Sequence, residues 1–403
     1  MAVTREDALQ LDARDPLAPF RERFVIEDAH RLYLDGNSLG RLPKGTRERL
    51  HRVIDQWGSE LVGGWHDWID APTRTGDALA EVLGAQPGTI LVADSVTVNL
   101  FKLVNAVLDA RPELTHLATD QDNFPTDRYV LEGIAKARGL ELTIFEVDPL
   151  LGPQPSDVPD GALTVLSHVA YRSGALADIA AFPNDRLIWD LSHSAGSVPV
   201  ELEAKGVRYA VGCTYKYLNA GPGATGYLYV REPETLVTPI QGWFGQARQF
   251  EMERPYEPAP GISRFLAGTP PILVLAAVEE GVRITAEAGI EALREKSVAQ
   301  TELLIALHDQ WLAPLGFTVG TPREPHLRGS HVSLRHPEAW PICKALIEHA
   351  DVIPDFRGPD SVRLGIAPLY TRFVDVYDAL DRLRDLVERG VHREVDASVS
   401  RVT

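Results

Sequence analysis

Cysteine is scarce: Cys213 and Cys343 are the only two in a chain of 403 residues. Two cannot build a disulfide framework, and so few fit a reducing compartment. Long apolar runs are missing as well, since none approaches the roughly 20 residues a membrane helix needs. The opening stretch, "MAVTREDALQLDARD", is charged and has no signal-peptide core, so the expected location is the cytosol. Basic residues are outnumbered, 40 against 57 acidic, for a formal net charge of −17. Neither a basic stripe nor a polybasic segment stands out, which argues against nucleic acid and membrane surface as partners. Small molecules, or a second copy of the chain, remain. No Walker A sequence or H-E-x-x-H pair occurs, so those chemistries lose their signatures. There is no internal repeat and no low-complexity tract.

What is present is the make-up of a globular protein with room for two domains: 44% hydrophobic and 24% charged residues. Up to about residue 45 the chain reads as irregular, with one short motif, "YLDGNSLG". Helical periodicity follows around "TRERLHRVIDQWGSEL". Between about 89 and 230, apolar runs alternate with helical patterns: "TILVA", "LTIFEV", "ALTVLS", "RLIWD", "RYAVG" and "GYLYV". Several show no polar alternation, as expected of strands buried on both faces in a mostly parallel sheet flanked by helices. "DPLLGPQPSDVPDG" reads as a surface loop, and "RPYEPAPGISRFLAGTPP" as a long loop of the functional kind. From Ile272 to about Trp311 the pattern is helical with a break near Gly289. The rest reads as a smaller α+β domain, with strands in "HVSLRH" and "SVRLGIA" and helices in "AWPICKALIEHA" and "FVDVYDALDRLRDLVERG". The last ten residues are expected to fray. The expected division is 1–45, an N-terminal segment packing with the small domain; 46–285, a large domain; and 286–403, a small domain.

"GPGATG" (221–226) fits G-x-G-x-x-G, but it precedes a strand instead of opening a helix, which is the wrong context for dinucleotide binding. More telling is the pair Asp190 and Lys216, 26 residues apart, each just past an apolar run. In a doubly wound sheet, ligands sit beyond the carboxyl ends of the strands. One chemistry uses both residues: a lysine in Schiff base with pyridoxal phosphate, and a carboxylate on the pyridinium nitrogen. A capping Asp and a solvated Lys would look the same from spacing alone. "ADSVTVNLFKLVNAVL" (93–108) offers a phosphate site, with Asp94 or Ser95 as cap and Val96 and Thr97 at the helix start. An ordinary N-cap is the plain alternative. In "DNFPTDRYV", Phe124 precedes Pro125 and is therefore extended; its ring could stack on a cofactor or belong to a core. His193, three residues past Asp190, could converge on the same ligand. Arg363, in a strand-like run, suits a carboxylate or an intradomain ion pair. Trp65, in "GGWHDW", is a pocket wall or core packing. Cys343 reads as a core thiol.

These stretches, with "GWFGQ", "RFLAGTPPIL" and "DFRGPDSVRLGIAPLY", run in order from residue 33 to 370. The chain resembles the kynureninase family over that span. The resemblance implies a pyridoxal-phosphate-dependent transferase fold of type I and a homodimer with shared active sites. It implies hydrolytic cleavage of L-kynurenine, or 3-hydroxy-L-kynurenine, to an anthranilate and L-alanine by a retro-Claisen step. Tryptophan catabolism and NAD biosynthesis are the implied setting. It implies that Lys216 carries the cofactor and Asp190 pairs with its ring nitrogen, with Phe124 stacked on the ring and His193 beside it. Val96, Thr97, Pro125, Thr126, Asp127 and Ser167 match cofactor contacts, and Tyr215 matches a phosphate contact. Trp243 and Thr269 match positions supplied by the partner subunit, and Arg363 and Trp65 match substrate contacts. No metal is implied. Tyr215, one residue from Lys216, is the expected proton donor, acidified by its surroundings. Where the family usually has "GWWGH", this chain has Phe244 and Gln246, a change that bears on ring-substituent preference. A class V aminotransferase or a cysteine-desulfurase-like lyase is the alternative; the latter needs a mobile cysteine, which Cys343 does not suit.

Overall fold

Strands without polar alternation need cover on both faces. The computed structural model of the protein, which describes residues 2–251, 255–396 and 398, supplies it. Helix α1 (Arg5–Asp12), strand β1 (Leu32–Tyr33) and helices α2 (Lys44–Glu60), α3 (Trp65–Trp68) and α4 (Ala71–Leu83) come first. The central sheet takes β2 (Ile90–Val92), β3 (His116–Asp120), β4 (Glu141–Phe145), β5 (Leu163–Ser167), β6 (Leu187–Asp190), β7 (Tyr209–Cys213) and β8 (Gly226–Val230). Helices α5 (Val96–Ala110) and α6 (Pro125–Arg138) follow β2 and β3. The strand order is β2-β8-β7-β6-β5-β3-β4. Only β8 runs against its neighbours; the other pairings are parallel, so the sheet is mostly parallel, as expected.

Then come α7 (Ile272–Ala288), α8 (Ile290–Leu307), β9 (Thr318–Val319), β10 (His331–Arg335), α9 (Ala339–His349), β11 (Val352–Ile353), β12 (Asp355–Arg357), β13 (Ser361–Gly365) and α10 (Phe373–Glu388). Strands β12-β13-β10-β9 form a separate antiparallel sheet. The expected break near Gly289 is real, with φ at 78° between α7 and α8, a conformation that glycine adopts freely.

Several elements were not legible in the sequence, and two of them bear on the fold most. The irregular opening contains α1, capped reciprocally by Thr4 and Asp7, a capping box. Strand β3, "HLATD", has only Leu117 and Ala118 as apolar members, so its buried position comes from the strands on either side. The segment expected to fray lies mostly outside the described residues, as does Arg254 at the start of the long loop.

Leu32 and Leu34 join one core with α8, β10, α9 and α10. The β1–β11 ladder adds parallel pairing, Leu32 to Val352 and Tyr33 to Ile353. The central sheet has its own cores on its two faces. This clustering supports the division we propose, 1–45 with the small domain and a large domain around the sheet; the expected boundary at 285/286 falls inside α7, just before the α7–α8 break.

Helix α7 lies against the loop that carries Lys216. A Cβ on Gly281 would sit 1.8 Å from the Leu218 carbonyl oxygen. Overpacking of this kind typically costs about 1–3 kcal/mol. Gly281→Ala is expected to lower the midpoint of thermal unfolding by several degrees; an unchanged midpoint would contradict this packing.

Candidate active site

The parallel register builds the site. Ser167 lies opposite Asp190 on the β5–β6 pair, and Asp190 lies opposite Val211 on β6–β7. All three strands therefore end at one edge, where a doubly wound sheet holds its ligand. A cavity opens there. Asp190, His193, Tyr215 and Lys216 line it from the ends of β6 and β7, and Ser95, Val96 and Thr97 from the start of α5. Phe124, Thr126 and Asp127 come from the start of α6, and Ser167 from the end of β5.

Lys216 Nζ donates to His193 Nε2 at 3.0 Å. It lies 5.8 Å from the Phe124 ring centroid and 6.0 Å from that of Tyr215. Burial, then the charges of Lys216 and Arg363, push the His193 pKa well below its usual range, so the ring is neutral and its Nε2 is free to accept. Asp127 is buried against Asp190, and among the described residues neither of its oxygens meets a donor. Desolvation, then repulsion from Asp190, raise its pKa. A buried carboxylate with no donor calls for a cationic N–H partner. Asp190 itself accepts from the Ser192 amide at 2.8 Å. The expected acidification of Tyr215 is not found. The neighbouring Cys213, then burial and Asp190, raise its pKa, and the hydroxyl stays protonated at neutral pH.

At the start of α5 the cap is Ser95, whose side chain accepts from the Val98 amide at 3.3 Å. The first-turn amides of Val96 and Thr97 are left for an anion. Gly226 is what lets β8 approach so closely: a Cβ there would sit 2.9 Å from the Val96 nitrogen. Phe124 is extended before the proline, with ψ at 132°, and caps α6. Its ring stands edge-on to Tyr171 at 5.4 Å. Ser167 Oγ donates to Asn123 Oδ1 at 2.7 Å.

Other expected residues sit apart from this cavity. Pro125 opens α6 without lining it. Arg363 is buried and reaches the wall through Tyr171, whose carbonyl accepts from Nη1 at 2.6 Å. It also donates to Ser38 at 3.0 Å and pairs with Asp355. Trp65 lines a separate apolar groove and packs on Phe244 at 5.7 Å. Trp243 also packs on Phe244, at 4.4 Å, while remaining 40% exposed. Thr269 is exposed. Gln246 ties the following loop, its Oε1 accepting from the amides of Ala247 and Glu257 at 2.9 Å each.

Sequence reasoning passed over Tyr171, Ser192 and Gly226, which line the cavity, and His331, whose buried ring lies 5.4 Å from His193. Gly226 was visible only as part of a discounted glycine motif. Tyr171 carried the weak signal of lying just beyond a strand end. His331 carried no signal.

The donor-hungry carboxylates, the open helix start and the lysine match the ring nitrogen, phosphate and aldehyde of pyridoxal phosphate. Fold and site together define a class V aminotransferase type of pyridoxal-phosphate protein. The class-V aminotransferase family matches residues 65–331, and the kynureninase C-terminal domain matches residues 293–383. Kynureninase from Pseudomonas fluorescens is 43% identical, covering 96% of each chain. That from Burkholderia pseudomallei is 40% identical, covering 97% of each. The chain belongs to the kynureninase family. Among solved structures, a cysteine desulfurase from Thermococcus onnurineus aligns with a TM-score of 0.76 at 19% identity, covering 96% of this chain and 100% of that one. A C-DES mutant with glycine covalently linked to its PLP cofactor aligns at 0.78 and 19%, covering 89% and 97%. At that identity these two establish the fold alone.

Asp127→Asn removes a carboxyl whose ionisation burial and Asp190 penalise, and adds a donor toward Asp190. The cofactor-free variant is expected to be more stable than the parent at pH 7, by about 1 kcal/mol. The parent's penalty is full above the raised folded-state pKa and vanishes below the ordinary carboxylate value. The gain should therefore shrink as the pH is lowered through that window. Chemical denaturation at several pH values checks it; a gain that grows on acidification would contradict the assignment.

Proposed function

We infer that the protein is a pyridoxal-phosphate hydrolase acting on the Cβ–Cγ bond of L-kynurenine or 3-hydroxy-L-kynurenine. The products are anthranilate, or 3-hydroxyanthranilate, and L-alanine. The observation that carries this reading is the Lys216–His193 contact beside the buried Asp190–Asp127 pair, in a chain 43% identical to a kynureninase along almost all its length.

Pyridoxal phosphate supplies an electron sink for charge at the substrate α-carbon. Lys216 would hold its aldehyde carbon, and Asp190 with Asp127 its ring nitrogen. Val96, Thr97 and Tyr215 would hold the phosphate. Phe124 would cover the ring, with Thr126, Ser167 and His193 as walls. As a free amine, Lys216 Nζ would be the base for the substrate α-proton. Neutral His193 can accept a hydrogen bond from that amine without competing for a negative group. Arg363 is assigned to the α-carboxylate, which requires its fork to leave Asp355 and the Tyr171 carbonyl when substrate binds. Water adds to the γ-carbonyl, and the Cβ–Cγ electron pair passes to Cβ. Tyr215, protonated at neutral pH, is the donor we assign to the three-carbon product.

The desulfurase alternative needs a reachable thiol. Both cysteines are buried, and burial, reinforced by Asp355 and Asp35, pushes the Cys343 pKa well above its usual range. An aminotransferase would leave the carbon skeleton intact and form a keto acid.

Trp65, Trp243 and Thr269 do not line this chain's own cavity, which supports a homodimer in which a second copy completes each site. The apolar groove fits that role: Trp57 is 58% exposed, Val62 81% and Leu273 39%, an unusual concentration for a free surface. Among the described residues no helix is long and apolar enough to cross a membrane. We propose the cytoplasm as location, and tryptophan catabolism, with NAD biosynthesis downstream, as the setting.

Purified protein incubated with L-kynurenine is expected to yield anthranilate and alanine in equal amounts. Lys216→Ala should lose at least about 10³-fold in turnover, given the usual contribution of a positioned base. A keto acid product, or an active Lys216→Ala, would overturn the reading. Val62→Asp is expected to elute as a monomer in size-exclusion chromatography with light scattering and to lose turnover; a fully active monomer would overturn the shared site.

A further inference from the structure

Lys102 is fully buried on α5, and its Nζ donates to Asp94 Oδ2 and to the Phe265 carbonyl, each at 2.7 Å. Complete burial of a lysine is rare and costly unless its charge is matched. Here it is matched by the residue that opens the anion-binding turn. Asp94 has φ at 49°, a left-handed conformation that non-glycine residues seldom hold unaided. Its carbonyl accepts from the Gly226 amide at 2.7 Å, the same glycine whose missing side chain admits the Val96 amide. Asn99 adds a second tie from the same face of α5, donating to the Ala93 carbonyl at 2.7 Å. The turn is thus held from below by α5 and from the side by β8.

We propose that Lys102 is a positioning residue for cofactor phosphate: by clamping Asp94 to the Phe265 turn, it holds the Ser95–Thr97 amides in the arrangement that binds an anion. This rests on the cofactor site described above. The residue touches neither the cofactor position nor the cavity. The clamp also ties the turn to the segment leading to Thr269, so the anion site and the proposed partner-facing loop share one anchor.

The test compares two aldehydes on cofactor-free protein, pyridoxal phosphate and pyridoxal, each followed by the absorbance of its adduct with Lys216. Inorganic phosphate is titrated separately by its protection against thermal unfolding. In Lys102→Met the affinities for pyridoxal phosphate and inorganic phosphate should fall about tenfold or more, the usual effect of losing one charge-assisted contact. The affinity for pyridoxal should stay unchanged. The Asp94 side chain is 31% exposed and can hydrate when its partner is removed. If Lys102→Met does not fold, Asp94→Asn is judged by the same criteria, with a smaller loss in the same direction. Equal losses for both aldehydes, or no loss for either, overturn the positioning role. Failure of the parent protein to bind pyridoxal phosphate overturns the site reading itself.

Discussion

Asp127 and Asp190 are buried side by side at the end of the central sheet, and the structure around them is arranged to tolerate that. Two carboxylates in a poorly solvated place repel each other and lose hydration. Lys216 partly offsets this, but the lysine's own hydrogen bond goes to His193. The pair is therefore strained toward a cationic N–H donor. Pyridoxal phosphate has one such group, and its charge is what the chemistry of a carbon acid requires. Stability and function pull in opposite directions at this point, as is common at active sites.

The rest of the fold can be read as the means of delivering that arrangement. Parallel pairing brings Ser167 and Asp190 into line on neighbouring strands, with Val211 next to them on β7. The reversal after β7 then turns Lys216 back over the strand ends. Helices α5 and α6 both begin at that edge, so their first turns face the cavity with amides, Phe124 and Asp127. The small domain contributes Arg363, linked to the large domain through the Tyr171 carbonyl and to the N-terminal segment through Ser38. One side chain thus joins three parts of the chain beside the site, and its pairing with the buried Asp355 lets a fully buried guanidinium be tolerated there.

Much of this was legible because the physical signals were local. Six of the seven sheet strands are apolar runs, and the lysine and aspartate each follow one. The proline after Phe124 announced its extended backbone. What escaped depended on distant partners. β3 is polar at both ends and is a strand because β4 and β5 flank it. Helix α1 rests on a capping box and on packing against α10, reached for example by Asp12, 361 residues before Phe373 in sequence. The direction of the Tyr215 shift follows from Cys213 and Asp190 lying close in space, which proximity to Lys216 in sequence could not convey. Gly226 matters through a backbone approach to Val96 that no spacing rule encodes. Lys102 lies in a helix that looks ordinary by periodicity, and its burial is visible only in three dimensions.

The central claim is hydrolytic cleavage between Cβ and Cγ at a site held by Lys216 and its two carboxylates. Turnover of L-kynurenine in water enriched in ¹⁸O, with mass spectrometry of the aromatic product, addresses it most directly. The account predicts one labelled oxygen in the carboxylate of anthranilate, since water attacks the former ketone carbon and the other oxygen is the ketone's own. An aromatic product without label in a carboxylate, or one that keeps the three-carbon chain, would contradict it.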